Sequence, residues 1–160
     1  ADAAFFAQTL NPAMLAAGVQ VINNSWCGIY WDTGNNSINQ AFGYAYVPFV
    51  VQHGGLVVFA AGNDSKSDPS DIAALPSHAP TLGLEKGWLV AVAVDSNNPT
   101  KLESYSNACG IAMNYCLAAP GDEIVSGKDD TATSTSYSVV EGTSFTAPPV
   151  SGAAAQVWQA

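Results

Sequence analysis

The 160-residue sequence contains no arginine and only four lysines against thirteen carboxylates, which gives a formal net charge of −9. Four cationic side chains cannot neutralise many phosphates. The composition therefore argues against binding of nucleic acid and against attachment to anionic lipid. No apolar run approaches the roughly 20 residues of a membrane-spanning helix, so we expect no membrane insertion. With 48% apolar and 11% charged residues, the chain has the composition of one globular domain with a sizeable core.

The sequence also lacks an initiator methionine and the basic segment that opens a secretory signal peptide. At the other end, residues 153–160 stop within an apolar helical pattern. Both ends predict a piece of a longer protein. The low charge, with many Asn, Ser, Thr and Gly residues, favours a secreted protein.

Helical and strand-like segments alternate along the chain. Continuous apolar runs predict buried strands near 19–23, 56–61 and 88–94, and shorter strands near 115–118 and 122–126. Apolar spacing predicts helices over 3–17 and 38–52, each ending at glycine, and the polar tract 127–138 predicts a loop. This alternation requires right-handed crossovers. The predicted fold class is therefore α/β, with a mostly parallel β-sheet and helices on both faces.

The strongest chemical signal is the segment EGTSFTAPPVSG at 141–152, which leads into an alanine-rich helix. Pro148 and Pro149 fit a first helical turn, where a missing N–H costs no hydrogen bond. Ser144 is therefore expected near the positive end of a helix, which suits a nucleophile whose intermediate carries negative charge. A serine at a helix start can also be a simple N-cap, and the hydroxyl alone favours that interpretation.

Three motifs, in this order, resemble those of the subtilisin-like serine proteases. Asn23-Asn24-Ser25-Trp26 is similar to the family's substrate-binding segment, and Ala60-Ala61-Gly62-Asn63 is similar to its oxyanion-hole motif. Gly142-Thr143-Ser144 is similar to its nucleophile motif, and 117–121 adds a weaker match. The chain is thus identified as part of a subtilisin-like serine endopeptidase.

The resemblance implies a role for each motif. Ser144 would attack a peptide carbonyl, and the Asn63 side-chain amide with the Ser144 backbone N–H would bind the resulting oxyanion. The residues implied in substrate binding are Ser25, Trp26, Ala60, Ala61, Gly62, Gly142 and Thr143. Cys27 stands where the family usually has glycine after the Ser-Trp pair.

A serine nucleophile needs a base and a group that orients the base. Asp32-Thr33-Gly34, His53 and Ser144 reproduce the family's order Asp, His, Ser, but Asp32 and His53 both follow the substrate-binding segment, whereas the family's catalytic pair precedes it. We interpret Asp32 as a loop residue, His53 as a residue at a helix end, and His78 as an exposed loop residue.

The resemblance thus implies that residues 1–160 form the C-terminal portion of a single subtilisin-like peptidase domain whose catalytic Asp and His lie upstream. Such a piece would be inactive alone. It would leave apolar surfaces uncovered, so we expect it to associate with the N-terminal portion or with another chain. The substrate would be a protein or a peptide.

Cys109 and Cys116 bracket six residues, which favours a disulfide over two buried thiols or a metal site that would need further ligands. Cys27 is left as a small buried residue or the partner of a cysteine elsewhere. The cysteine pair, with the segment 85–92, resembles the autotransporter passenger type of subtilase, which implies a secreted or bacterial cell-surface protein. We predict no cofactor: calcium is common in the family, but the acidic residues at 64–71 and 129–130 form no recognisable calcium loop.

Two other classes fit parts of the pattern. An α/β-hydrolase esterase also places serine at a strand-to-helix turn, but it needs glycine at Thr146 and a histidine after the nucleophile, and no histidine follows His78. A degenerate, non-catalytic protease-like binding or structural domain is the second alternative. Upstream motifs for the catalytic Asp and His would distinguish it from an enzyme.

Overall fold

The computed structural model describes residues 2–127, 130–131 and 133–160. The α-helices within these residues are α1 (Ala3–Phe5), α2 (Asn11–Ala16), α3 (Asn36–Val47), α4 (Leu75–His78) and α5 (Ala147–Gln159). The strands are β1 (Val21–Asn24), β2 (Leu56–Ala60), β3 (Trp88–Asp95), β4 (Asn98–Leu102), β5 (Cys116–Pro120), β6 (Asp122–Ser126) and β7 (Tyr137–Glu141). None of the helices described is both long enough and apolar enough to cross a membrane.

Four parallel strands form the centre of the fold in the order β1-β2-β3-β5. Strand β4 pairs antiparallel with the end of β3, and β6 and β7 form a separate antiparallel pair. The central strands are the apolar runs of the sequence, because strands covered on both faces have no solvent side on which to place polar residues. The predicted mostly parallel α/β sheet is confirmed.

The two faces of the sheet bury different sets of side chains. One face packs an aromatic cluster between the sheet and the helical layer of α3, in which Phe59 stacks on Trp88 with ring centroids 5.4 Å apart. The other face is lined by small residues, including Ala60 and Ala91, and packs against Ala147 and Val150 of α5. Because these side chains are small, α5 can lie close to β1, β2, β3 and β5.

Helix ends follow the predicted glycines. After α2, Gly18 adopts φ +70° and the Val19 N–H donates to Met14 O over 3.1 Å, the bond pattern of a Schellman motif. The second predicted helix continues through Pro48 by widening into a π-helical stretch over Pro48–Gln52, in which the His53 N–H donates to Pro48 O (3.0 Å). In an uninterrupted α-helix residue 48 would donate its N–H to Tyr44 O; proline has no N–H and its ring crowds that carbonyl, which accounts for the wider turn.

The predicted loop over 127–138 is partly wrong, because its last two residues belong to β7. Within it, Lys128, Asp129 and Ala132 lie outside the described residues. Strands β4 and β7 were not predicted. Both are largely exposed, so neither shows the apolar run by which the central strands were recognised.

Candidate active site

The carboxyl ends of the parallel strands bring the three sequence motifs together. Ser25 follows β1 directly, and Asn63 follows β2 after Ala61 and Gly62. The turn over 142–145, which carries Ser144 and is called the nucleophile turn here after the predicted role of that serine, precedes α5, which packs across the same strands. The crevice outside the carboxyl ends of parallel strands is where open α/β sheets bind their ligands.

The Asn63 side chain is held by the nucleophile turn. Its Oδ1 accepts from the Thr143 backbone N–H (2.9 Å) and from the Thr143 hydroxyl (2.8 Å). The same hydroxyl oxygen accepts from the Gly62 N–H over 3.1 Å, which leaves its proton for Asn63. Two donors on Oδ1 fix which end of the amide carries the oxygen. The Asn63 amide is therefore oriented, with Nδ2 directed away from Thr143.

The free end of this amide lies beside the nucleophile turn. A Cβ placed on Gly142 would be 3.4 Å from Asn63 Nδ2. Among the described residues, Nδ2 donates no hydrogen bond to the protein. An N–H donor held at one end and uncommitted at the other can bind an oxyanion without reorganising when charge develops.

Ser144 lies in a single 3₁₀ turn, Thr143–Phe145, between Gly142 and α5. The N-cap of α5 is Thr146, whose hydroxyl donates to Thr143 O (2.7 Å), and Ser144 caps neither helical segment. Its Oγ takes part in no hydrogen bond among the described residues, and the side chain is half-buried. The N-cap interpretation of Ser144 is therefore wrong, and its hydroxyl is available for chemistry.

The predicted substrate segment is tied to α5. Asn23 Nδ2 donates to Ser25 Oγ (2.8 Å), and Asn23 Oδ1 accepts from the Ser151 hydroxyl (2.9 Å). The Trp26 ring packs between Phe6 and Phe59, with ring centroids at 6.0 Å and 5.1 Å. The Trp26 side chain is thus anchored in the aromatic cluster, which leaves the backbone of this segment as the part able to pair with an extended peptide.

The other predicted substrate-binding segment, residues 60–62, is held rigidly. Ala60 and Ala61 are fully buried, and the Ala61 N–H donates to Ala91 O over 3.0 Å.

Cys27, which follows Ser25 and Trp26, is a free, half-buried thiol close to Asn63 and Asp64. Burial is the main cause that raises the pKa of this thiol, and the nearby Asp64 carboxylate adds to it, while a hydrogen bond from the Asn63 backbone acts in the other direction.

His53 lies at the opposite end of the sheet from Asn63. It follows the π-helical stretch, as the sequence predicted, and its Nε2 donates to Val19 O (3.0 Å) before β1 begins. The five residues of β2 separate it from Asn63, a distance of roughly 17 Å at about 3.3 Å per residue. His53 cannot reach the nucleophile turn from this position.

His78 is not the exposed loop residue that the sequence predicted. It ends α4, is largely buried, and its Nε2 lies 3.6 Å from Asp71 Oδ1, beyond hydrogen-bond length. Burial lowers the pKa of His78, and the carboxylates of Asp71 and Asp68 offset only part of that effect. Among the described residues, no hydrogen bond joins either histidine to Ser144.

Asp32 is a loop residue, as predicted. Its Oδ1 accepts from the Gly34 N–H (3.0 Å), and its backbone oxygen accepts from the Asn35 N–H (2.9 Å). This is the local bonding of an Asx turn, which is the role of a loop residue.

The predicted disulfide is present. Cys109 and Cys116 are bonded, with their Cα atoms 5.8 Å apart, at the two ends of a 3₁₀ segment that precedes β5. In the ranges that the structure describes, no group of three or more His, Cys, Asp or Glu side chains is placed to hold a metal ion.

Comparison with protein-family models gives a match to Peptidase S8, the subtilase family, over residues 3–160. The chain belongs to the subtilase family. The subtilases are subtilisin-like serine proteases, so the family predicted from the motifs is confirmed and the α/β-hydrolase alternative is wrong.

Curated relatives agree with this assignment. The chain is 45% identical over 103 residues to serotype-specific antigen 1 of Mannheimia haemolytica, 34% over 116 residues to the autotransporter lipoprotein NalP of Neisseria meningitidis serogroup B, and 29% over 127 residues to an extracellular serine protease of Serratia marcescens. These alignments cover 62%, 65% and 68% of the chain but only 11%, 10% and 12% of the respective relatives. The chain thus spans about a tenth of the length of the subtilases it matches. The names agree with the predicted autotransporter type and secreted or cell-surface localisation.

Solved structures show the same fold. The prenylagaramide maturation protease PagA superposes with a TM-score of 0.65 at 23% identity, over 88% of this chain and 44% of that protein. Sphericase superposes with a TM-score of 0.60 at 24% identity, over 98% of this chain and 48% of that protein. The subtilisin-like architecture is therefore confirmed at the level of the fold.

Proposed function

We propose that this chain carries the nucleophile and the oxyanion hole of a subtilisin-like serine endopeptidase that cleaves protein or peptide substrates. The observation that supports the proposal best is the amide of Asn63, whose oxygen is held by two Thr143 donors while its nitrogen lies 3.4 Å from the Cβ position of Gly142. In such an arrangement the donor is already oriented before the negatively charged intermediate forms.

In the proposed reaction, Ser144 Oγ bonds to the carbonyl carbon of the scissile peptide as its proton passes to a base. The carbonyl π electrons move onto the oxygen, which accepts hydrogen bonds from Asn63 Nδ2 and the Ser144 backbone N–H. Collapse of the intermediate breaks the C–N bond, and the leaving amine takes the proton from the base. Water then attacks the acyl-enzyme by the same steps and frees Ser144.

The base must come from outside residues 1–160 in this proposal. His53 lies at the opposite end of the sheet from Asn63, and His78 ends α4 with no hydrogen bond to Ser144 among the described residues, so neither histidine is suited to activate Ser144. We propose that the catalytic Asp and His belong to an upstream portion of the same domain, and that residues 1–160 alone are inactive. Association with that portion, or with another chain, completes the site.

We also propose that an extended substrate segment pairs with the backbone at Ser25, Trp26 and Cys27. The substrate would then lie between residues 25–27 on one side and residues 60–62 on the other. Gly142 and Thr143 close the site beside the scissile bond. The autotransporter and extracellular relatives support secretion or display at the bacterial cell surface for the whole protein.

The test uses the complete catalytic domain, including the sequence upstream of residue 1. Ser144→Ala should abolish peptide hydrolysis while the far-ultraviolet circular dichroism spectrum stays that of the parent. Asn63→Ala should reduce kcat by about 100- to 1000-fold with little change in KM, the magnitude measured for the loss of this donor in subtilisin itself.

Ser37→Ala serves as the matched control, because Ser37 is an exposed serine in the first turn of α3 and should leave kcat unchanged. Undiminished turnover in Ser144→Ala would refute the nucleophile assignment. Complete inactivity of the parent domain, with no labelling by a fluorophosphonate, would instead support the degenerate binding domain.

A further inference from the structure

We propose that Asn107 is the positioning residue of the oxyanion hole, which acts by fixing the turn 61–66 on which Asn63 sits. This inference rests on the proposed function, because it concerns the same oxyanion donor. Asn107 is fully buried and lies in the segment between β4 and the disulfide, more than 40 residues from the turn in sequence.

The Asn107 side chain bonds on both sides of Asn63. Its Nδ2 donates to Ala61 O (3.2 Å), and its Oδ1 accepts from the backbone N–H groups of Asp64 (2.9 Å) and Lys66 (3.0 Å). The Asn107 backbone N–H adds a bond to Gly62 O over 2.8 Å. Four hydrogen bonds from one residue thus bracket the peptide groups before and after Asn63.

The turn is shaped to admit this side chain. Gly62 has φ +120°, and a Cβ placed on it would lie 2.5 Å from Asn107 Nδ2. Glycine is required both for that backbone conformation and for the close approach of the amide. The Asn107 amide therefore occupies the space that a side chain at position 62, the residue before Asn63, would fill.

The Asn107 segment is in turn fixed to the sheet. The Ser106 hydroxyl accepts from the Ala93 N–H of β3 (3.0 Å) and donates to Asn107 O (2.8 Å). Asn107 thus connects the rigid centre of the sheet to the turn that carries the oxyanion donor. Since an oxyanion donor must lie about 2.7–3.1 Å from its acceptor, a shift of the turn by a fraction of an ångström weakens it.

The positioning role predicts a specific pattern of kinetic effects. Without the Asn107 amide, the backbone N–H groups of Asp64 and Lys66 lose their acceptor, and the Ala61 carbonyl keeps only the bond from the Ser70 N–H. The turn then relaxes and Asn63 Nδ2 moves off the developing charge. The loss should fall on kcat, because the oxyanion is present in the transition state and absent from bound substrate. It should also disappear when Asn63 has already been removed.

The experiment is a double-mutant cycle in the complete catalytic domain, with Asn107→Ala, Asn63→Ala and the double variant. Hydrolysis of a chromogenic peptide gives the rates, and fluorophosphonate titration counts the active sites. We expect Asn107→Ala to lower kcat about 10- to 100-fold with KM changed less than about threefold. In the Asn63→Ala background the same substitution should cost less than about threefold.

Asn11→Ala is the matched control. Asn11 is another buried amide, which donates to Ala45 O (2.7 Å) in the helical layer away from the site. Its removal should lower the urea midpoint of unfolding to a similar extent as Asn107→Ala and leave kcat per active site within twofold of the parent.

Asn107→Asp covers the case in which Asn107→Ala does not fold. The aspartate keeps an acceptor for the two N–H groups but loses the donor to Ala61 O until it is protonated. The ratio of its kcat to that of the parent should therefore rise as the pH is lowered. The ionisable residues near this side chain are Asp64 and Lys66 of the turn and Tyr30 from the segment after β1, and all three are common to both proteins and cancel in the ratio.

The possible failures are distinguishable. If Asn63→Ala leaves kcat unchanged, the proposed oxyanion hole is refuted and the role of Asn107 with it. If Asn63→Ala has its full effect but Asn107→Ala costs the same factor in both backgrounds, or the Asn107→Asp ratio does not vary with pH, only the positioning role is overturned.

Discussion

The Thr143 hydroxyl offers the sharpest test of how the candidate site is held together. It accepts from the Gly62 N–H and donates to Asn63 Oδ1, so one oxygen atom connects the turn 61–66 to the nucleophile turn. Thr143→Val removes this oxygen while it keeps the branched shape of the side chain. Thr143→Ser keeps the oxygen and removes one methyl group, so it is the matched control.

The expected magnitudes follow from the bonds that are lost. The Gly62 N–H is buried and would have no partner, which costs about 1–3 kcal/mol, and the bond to Asn63 contributes about 1 kcal/mol more. We therefore expect Thr143→Val to lower the free energy of unfolding by about 2–4 kcal/mol. Thr143→Ser should lower it by about 0.5–1.5 kcal/mol, as the loss of one buried methyl group does.

Asn63 retains its bond from the Thr143 backbone N–H in this variant, so its amide is loosened and not released. A loss of about 1 kcal/mol in the transition state corresponds to a kcat reduction of about fivefold. This is well below the reduction of about 100- to 1000-fold expected for Asn63→Ala.

Stability should be measured by urea unfolding of the complete domain in a Ser144→Ala background, which prevents autolysis. The kcat values should be measured with Ser144 present and normalised to titrated active sites. A Thr143→Val enzyme whose kcat lies within twofold of Thr143→Ser, or whose loss appears only in KM, would refute the reasoning.

Three further results are expected. Non-reducing peptide mapping of native secreted protein should recover Cys109 bonded to Cys116, and replacing both by alanine should cost about 2.5 kcal/mol of stability by the loop-entropy relation; two freely alkylated thiols would contradict this. Because burial keeps the pKa of His78 below its ordinary value despite Asp71, the unfolded chain binds more protons, and stability should decline as pH falls below about 6.5. His78→Gln should flatten that decline, and an unchanged pH profile would show that another group causes it. Residues 1–160 alone should resist labelling of Ser144 by a fluorophosphonate, since loss of the serine or histidine of a subtilisin triad costs about a millionfold in kcat; stoichiometric labelling of the isolated chain would bring the described histidines back into consideration.

The central strands could be predicted because burial on both faces forces a recognisable apolar run, as in 56–60 and 88–94. Strands β4 and β7 could not, because they are held by backbone pairing at an exposed edge and in an exposed hairpin, which places little demand on side-chain type. Periodicity reports burial, and it does not report hydrogen bonding between exposed strands.

In the candidate site, too, some features could be predicted from the sequence and others could not. Ser144 and Asn63 were predicted because their motifs are specific, but the clamp that Thr143 provides to Asn63 was not, since it depends on two turns meeting across the fold. No local signal distinguishes a threonine that lines a substrate site from one that orients a neighbouring amide. His78 was misplaced for a similar reason: the Trp31 ring packs edge-on against it, and Trp31 is 47 residues away in sequence.

The contacts that hold the candidate site join the most distant parts of the chain. Thr143 meets Asn63 across 80 residues, and Ser151 meets Asn23 across 128. Contacts of this range close the largest loops of a fold, and closing a large loop costs the most chain entropy. These contacts are therefore expected to form late in folding. If the proposed function holds, a domain that is still assembling its sheet has the serine but no oriented oxyanion donor, so the last contacts to form are those that the proposed chemistry needs.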